Sequence, residues 1–338
     1  MRRIVIYLIA AALALPFAAS CTKEIQFKGD ETASKLVLYS LAVPGQELSA
    51  DLSSSVFFLK RNYDNKLFTS SLDTLRGTVK VYVNGAQQPI LMRYSPYVPD
   101  DEYGYFYFAP STLRYVSDYV PSEGDRIRIV ADFPGFDTVE GETVVPVSGR
   151  FSVNSLKVNR SEEGELNIEV SARVTDDGSG LKYYDVSPIR FFSWDGGETY
   201  DQEQVFDITS NDVIFRNTTS DLMSILDEES QTSSYFSDEL FRGGSYDFKF
   251  SFSAWEPLYD EYYGYGDPNY SGEKISYLYT VRFTTLTTSL YNHILSMRNL
   301  SYSDFGFFGE SSTLYSNVKG GYGCVCSSVS LSLPLNIQ

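Results

Sequence analysis

Histidine is almost missing from this chain. Among 338 residues there is one, His293, together with two Trp and three Cys. A single imidazole argues against His-based zinc sites and histidine-driven triads. Three thiols cannot build a disulfide scaffold. Positive charge is also scarce. Lys+Arg number 27 against 44 Asp+Glu, giving a formal charge of −17 and a pI near 4.5. Nucleic-acid binding depends on clustered Lys and Arg that release counterions, so this balance argues against it. After residue 20 no apolar run reaches the ~18 residues of a spanning helix.

What is present is aromatic and β-prone. Hydrophobic residues make up 43% and aromatics 15%, with 27 Tyr and 23 Phe. That is enough to bury a core, and the length allows about two domains. Residues 1–20 read as an export signal. Arg2 and Arg3 form a basic start, Ile4 to Leu15 an apolar run, and Pro16 to Ser20 a small-residue ending. The Ala18-Ala19-Ser20-Cys21 ending resembles a bacterial lipobox, in which the cysteine is acylated and becomes the first residue. Ordinary secretory cleavage with an incidental Cys21 is the alternative. Removing residues 1–20 takes away two Arg and moves the charge from −17 to −19. Residues 21–35 then read as a polar tether.

From Leu36 the chain is written in short strands. Leu36-Val37-Leu38-Tyr39, Leu48 to Leu52, Thr78 to Val83, Tyr103 to Phe108, Arg126 to Val130 and Asp137 to Val145 belong to the first half. Asn84-Gly85 after Val83 is a hairpin signal, with Pro89 to Tyr94 as the expected partner. A boundary is expected at Pro146–Gly149. The second half offers Leu166 to Val170, Lys182 to Ile189, Gln204 to Ile208, Tyr246 to Ala254 and Ile275 to Thr284. In Tyr246 to Phe252 the aromatics alternate onto one face. Helical signals are weak, at Asp221–Glu228 after Ser220 and at Ser289–Leu300. At the end, Val329, Leu331, Leu333, Leu335 and Ile337 alternate with polar residues. That pattern reads as a strand closing the second domain, or as one donated to a neighbouring subunit. The fold class expected is all-β. It has two β-sandwich-like domains, 36–147 and 148–338, the second carrying one or two short helices.

Several segments together resemble a family of Bacteroidota envelope lipoproteins of unknown function. They are Cys21 to Ile25, Val81-Tyr82-Val83-Asn84-Gly85, Gly124-Asp125, Val144-Val145-Pro146 and Lys182-Tyr183-Tyr184. Phe236 to Tyr246 and Tyr315 to Gly323 complete the set. The resemblance implies an immunoglobulin- or transthyretin-like first domain and a second β-rich domain. It further implies an outer-membrane location through a lipid anchor, with a TonB-dependent receptor as a possible partner. It brings no catalytic residues.

Candidate chemistry is sparse. Asp238-Glu239 is a carboxylate pair, but adjacent residues point apart, and a turn before Gly243-Gly244 is the simpler reading. Asp176-Asp177-Gly178-Ser179-Gly180 has a calcium-loop flavour but lacks EF-hand spacing. Asp260, Glu261 and Asp267 could add oxygen ligands from another loop. Cys324 and Cys326 share one strand face with awkward disulfide geometry, and read as packing thiols. His293 reads as a structural imidazole. The richest candidates are two aromatic–acidic loops. One carries Tyr97, Tyr103 and Tyr105; the other carries Trp255, Tyr259, Tyr262, Tyr263, Tyr265 and Tyr270. Exposed Tyr and Trp offer rigid contact area with a polar tip. A solvated loop packed on itself is the alternative.

The expectation is therefore a non-enzymatic, acylated envelope protein without cofactor or metal. It would act as a binding accessory beside an outer-membrane receptor. An adhesin or fimbrial subunit and a carboxylate-dependent hydrolase are the alternatives.

Overall fold

The computed structural model describes residues 33–55, 76–95, 112–162, 164–193, 200, 202–215, 233–256, 276–303 and 314–337. The elements, in chain order, begin with β1 (Leu36–Ala42), β2 (Leu48–Ser54), β3 (Thr78–Val83), β4 (Ala86–Gln88) and β5 (Leu91–Ser95). Next come β6 (Thr112–Ser117), β7 (Arg126–Asp132), β8 (Val139–Val144), β9 (Arg150–Arg160) and β10 (Glu165–Thr175). Then follow β11 (Tyr183–Ser193), β12 (Gln202–Val205), β13 (Tyr235–Ser237), β14 (Ser245–Trp255) and β15 (Ser276–Leu286). Helix α1 (Thr288–Ser303) and strand β16 (Tyr322–Leu335) close the chain. The protein is all-β, as its alternating text requires.

Three sheets make two sandwiches. A long sheet runs β12-β11-β15-β16-β1-β2-β6-β5, with β13 paired beside β11. The β4-β3-β7-β8 sheet faces its β1 end, and the β14-β10-β9 sheet faces its β11 end. Inward residues of β1, β3 and β7 fill the first core: Leu36, Leu38, Val81, Ile127 and Ile129 are fully buried. The second core is aromatic. Phe248, Phe250 and Phe252 alternate inward from β14 as expected, against Tyr184, Phe236 and Phe283. Phe151 and Phe283 stack at 4.4 Å. Burying each such ring is worth about 1.5–3 kcal/mol before entropy.

Strand β16 joins the two halves. Its residues Tyr322–Ser327 pair in parallel with β1, and Ser328–Leu335 pair antiparallel with β15. The alternation read at the C-terminus is real, with Val329 and Leu335 buried and Ser330, Ser332 and Pro334 exposed. It closes the second sandwich over that stretch only. Upstream, Gly323 to Ser328 are buried on both faces, because α1 lies on one side and the first core on the other. The boundary expected near residue 147 is therefore crossed by the chain's last strand. At the crossover the buried Ser327 hydroxyl bonds Val144 O at 3.0 Å and meets Thr143 Oγ1 at 3.0 Å.

The Asn84-Gly85 turn forms with φ of 51° and 85°, the left-handed pair of a tight hairpin. Its partner is not Pro89 to Tyr94. Strand β4 is only Ala86–Gln88, and β5 joins the other sheet beside β6. Pro89 has no N–H for the ladder, which ends the pairing there. Strands β4, β6, β9 and β13 have no counterpart in the sequence reading. Helix α1 contains the expected 289–300 segment. The expected strand Tyr103 to Phe108 and helix Asp221–Glu228 lie outside the described residues.

Close approach of β16 to β1 requires glycine. Gly323 sits at φ 116°, and a Cβ there would run into the Leu38 carbonyl. Gly323→Ala is expected to cost about 2–3 kcal/mol or more. Gly45→Ala, at φ 85° with open space around it, should cost about 1 kcal/mol. Urea unfolding of both variants against the parent checks the difference.

Candidate functional site

Of the residues expected to form a contact surface, the structure describes Trp255. Tyr97, Tyr103, Tyr105, Tyr259, Tyr262, Tyr263, Tyr265 and Tyr270 lie outside the described residues, as do Cys21, Asp260, Glu261 and Asp267. Trp255 ends β14 and is 50% exposed. It stands directly opposite Glu165 of β10. The two residues line a shallow surface cleft with Ser253 and Ala254.

Beneath Trp255 lies a network that sequence reasoning missed. Arg190 of β11 is only 6% exposed. Its guanidinium sits 4.6–6.0 Å from the ring centres of Phe192, Phe206, Tyr277 and Tyr279. Its Nη1 donates to Trp255 O at 2.7 Å, and its Nη2 donates to Gln204 Oε1 at 2.6 Å. The Tyr279 hydroxyl donates to Glu256 Oε1 at 2.8 Å, and Arg160 pairs with Glu256 Oε2 at 2.8 Å. Burial raises the Tyr279 phenol well above its ordinary range, and the Glu256 hydrogen bond adds to this. Residues 257–275 connect β14 of one sheet to β15 of the facing sheet. Arg190, Glu256 and Tyr279 therefore tie the end of β14 to the start of β15. The signal was present: a lone Arg at an inward position among Tyr184, Val186 and Phe192.

The two acidic motifs come together at another point. Asp176 Oδ2 accepts the N–H groups of Gly178 and Gly243, at 2.8 and 2.7 Å. Lys182 Nζ lies 3.3 Å from Asp176 Oδ1 and 2.6 Å from Asp177 Oδ1. Asp238 is fully buried at the start of a 3-10 turn. Its Oδ2 accepts Lys182 N–H and its own N–H donates to Lys182 O, both at 3.1 Å. This clasp holds the Asp238–Gly244 turn against the 176–182 turn. The turn expected at Asp238-Glu239 is thus present. Asp176 Oδ1, Asp238 Oδ1 and the Tyr184 hydroxyl are all buried; the Lys182 ammonium answers the first and Arg242 Nη2 lies 3.7 Å from the second. Burial alone would raise Asp176, but the Gly243 and Gly178 amides and Lys182 outweigh it and hold the carboxyl low. The Lys182 hydrogen bond holds Asp177 low as well. Asp238 is pushed up, first by burial and then by Asp176. Burial also drives the Tyr184 phenol up, beside Asp176 and Asp238.

A matching lock holds the first sandwich. Asp125 accepts hydrogen bonds from Asn84 Nδ2 at 2.7 Å, Tyr119 Oη at 2.6 Å and Ser122 N at 2.8 Å. Those three donors overcome burial and keep its carboxyl low. Cys324 and Cys326 are buried and free, as read from the sequence. The imidazole of His293 is half-buried, with Nδ1 3.1 Å from Tyr315 O and its ring 5.5 Å from Tyr39. Among the described residues no three His, Cys, Asp or Glu side chains are grouped to hold a metal ion. None of the described helices is long and apolar enough to cross a membrane.

The family profile described as a domain of unknown function, DUF4249, matches residues 22–332. The chain belongs to the DUF4249 family. Segments on which the resemblance rested meet in space within this family's fold: Asn84 bonds Asp125, and the Lys182 N–H bonds Asp238. No curated protein matches the chain. Two solved structures are similar to it at low identity. Bovine butyrophilin shares 11% identity over 90% of this chain and 100% of its own, with a TM-score of 0.18. A putative membrane anchored protein from Corynebacterium diphtheriae shares 14% identity over 76% and 55%, also with a TM-score of 0.18. Neither likeness carries an argument about this chain.

Two predictions follow from these networks. Tyr279→Phe removes the hydroxyl between Arg190 and Glu256 and should cost about 1–2 kcal/mol. In a Trp194→Phe background Trp255 is the single indole, so its emission should shift when the root loosens. Asp176→Asn breaks a buried charged clasp and should cost about 3 kcal/mol at pH 7. The sign with pH is fixed by the lowered carboxyls. Asp176 and Asp177 stabilise the fold above the unfolded carboxylate range, near pH 4, and lose that contribution as pH falls further. Asp238 acts oppositely, since protonation relieves its burial. Stability measured in urea from pH 6 to pH 2 should fall less steeply in Asp176→Asn than in the parent.

Proposed function

We propose that this chain is an acylated lipoprotein of the cell envelope. Its anchor is Cys21, its location the outer membrane, and its role non-enzymatic: a binding accessory beside a TonB-dependent receptor. The observation that carries the reading is the family match beginning at residue 22, one position after the lipobox cysteine. The matched unit thus starts where an acylated chain would start. Arg2, Arg3 and the apolar run to Leu15 then serve as a leader and stand outside it. The resemblance to Bacteroidota envelope lipoproteins supports the receptor as partner.

The binding element in this reading is the aromatic–acidic loop after Trp255. Its root is held by Arg190, Glu256 and Tyr279, and Trp255 is half exposed at its start. A fixed root lowers the conformational cost of docking. The adhesin alternative drew on the alternating C-terminal strand. Strand β16 is taken up within its own chain, residues 322–327 beside β1 and residues 328–335 beside β15, which favours the closing-strand reading over donation to a neighbour.

Two measurements test the reading. Mass spectrometry of the native protein should find an acylated Cys21 as the first residue, and Cys21→Ser should move the chain out of the membrane fraction. An intact Met1 or an unmodified cysteine overturns the anchor. Cross-linking in native membranes should recover an outer-membrane receptor. Trp255→Ala with Tyr259→Ala should reduce that recovery at least tenfold, as loss of an aromatic anchor does. Unchanged recovery overturns the loop as the contact.

A further inference from the structure

Two thiols share one face of β16 under α1. Cys324 is 1% exposed and Cys326 5%. Cys324 Sγ donates to Ser289 O of α1 at 3.6 Å, and Cys326 Sγ donates to Ser40 O of β1 at 3.4 Å. The two residues are two positions apart on β16, so their side chains leave the strand on the same side. The chain's other cysteine is Cys21, so this pair holds every thiol after the tether. Neither the clasp at Asp176 nor the loop root uses it.

Distances decide what such a pair can hold. Two steps along a strand separate the Cα atoms by about 6.7 Å, and same-face Cβ atoms by a similar amount. A disulfide needs Cβ atoms about 3.8 Å apart and Cα atoms usually about 5.5–6 Å apart. Closing one would bend β16 out of register with both β1 and β15. A bridging ion removes that strain. With metal–sulfur bonds of about 2.3 Å, the two sulfurs stand about 4.6 Å apart. Zinc is a poor fit, because it takes four ligands and no third His, Cys, Asp or Glu joins the pair among the described residues. Soft thiol ligands select Cu(I)-like ions. Charge favours a monovalent ion too, since the site is buried and a net charge there is costly.

We propose that Cys324 and Cys326 form a two-coordinate site for one soft monovalent cation of the Cu(I) class, clamped between β16, β1 and α1. Binding forms two metal–sulfur bonds and releases one thiol proton. The ion's single positive charge replaces that proton, so the buried pair stays neutral and no electron is transferred. Neither sulfur opens to solvent, so the ion enters when α1 lifts or as the chain folds. The site is independent of the lipoprotein reading, because Cys21 takes no part in it.

The test uses full-length protein carrying Cys21→Ser, so that the pair supplies the only thiols. Ag(I) is added without oxygen, both to the native protein and during refolding from urea. Native mass spectrometry should find one Ag(I) per chain with one proton lost, and the thermal midpoint should rise. Cys324→Ala and Cys326→Ala should each weaken binding at least a hundredfold. X-ray absorption of the Ag(I) form should show two sulfur neighbours and nothing else in the first shell, a readout that needs no variant to fold. Absence of bound ion after refolding overturns the proposal. So do retention of the ion in a Cys324→Val/Cys326→Val protein, a shell of more than two neighbours, or a native protein whose two thiols are already closed as a disulfide.

Discussion

The fold depends on one strand belonging to two sandwiches. β16 contributes its first half to the sheet over the first core and its second half to the sheet over the aromatic core. Long-range pairing of this kind is slow to form, because residues 37–42 must find residues 322–327 across nearly the whole chain. Once formed, it makes the stability of the two halves interdependent. The glycine at 323 and the buried hydroxyl of Ser327 follow from that constraint. One allows the backbones of β16 and β1 to meet, and the other satisfies the crossover where neither core can.

Around this strand the acidic residues do structural work. An excess of carboxylates would weaken a compact chain through self-repulsion. Several of them are answered locally. Asp125 and Asp176 each gather backbone and side-chain donors, and Asp176 adds a Lys that also holds Asp177. Exposed pairs such as Arg173–Asp247 and Arg128–Glu140 run across neighbouring strands, where each is worth little. The buried clasps matter more, because an unpaired carboxylate in their place is strongly destabilising.

Much of the architecture is legible in the sequence, for physical reasons that can be named. Alternation in Tyr246 to Phe252 reports a strand with one buried face, since side chains repeat every two residues. Asn84-Gly85 reports a hairpin because both residues tolerate positive φ. The same signals fail where tertiary context overrides them. Pro89 to Tyr94 reads as the hairpin partner of β3, but Leu91–Ser95 pairs with β6 once Pro89 has ended the ladder. β9 escaped notice because seven of its eleven residues are exposed and a bulge interrupts its register opposite Ser171 and Ala172. Of the site, Trp255 was legible as an aromatic at a loop boundary. Arg190 was marked only by its inward position on β11; its role comes from Tyr279 and Trp255, which approach it from other strands.

Sequence alone determined the all-β class, the acidic charge and the aromatic face of the second core. Each is a property of composition or of neighbours along the chain. Tertiary structure alone decided that Asp176 meets Gly243 and Lys182 meets Asp238. It also decided that Arg190 lies in a box of four rings, and that the last strand serves both sandwiches. These contacts join residues tens to hundreds of positions apart, and pairing across such distances is set by register and packing that no local pattern encodes.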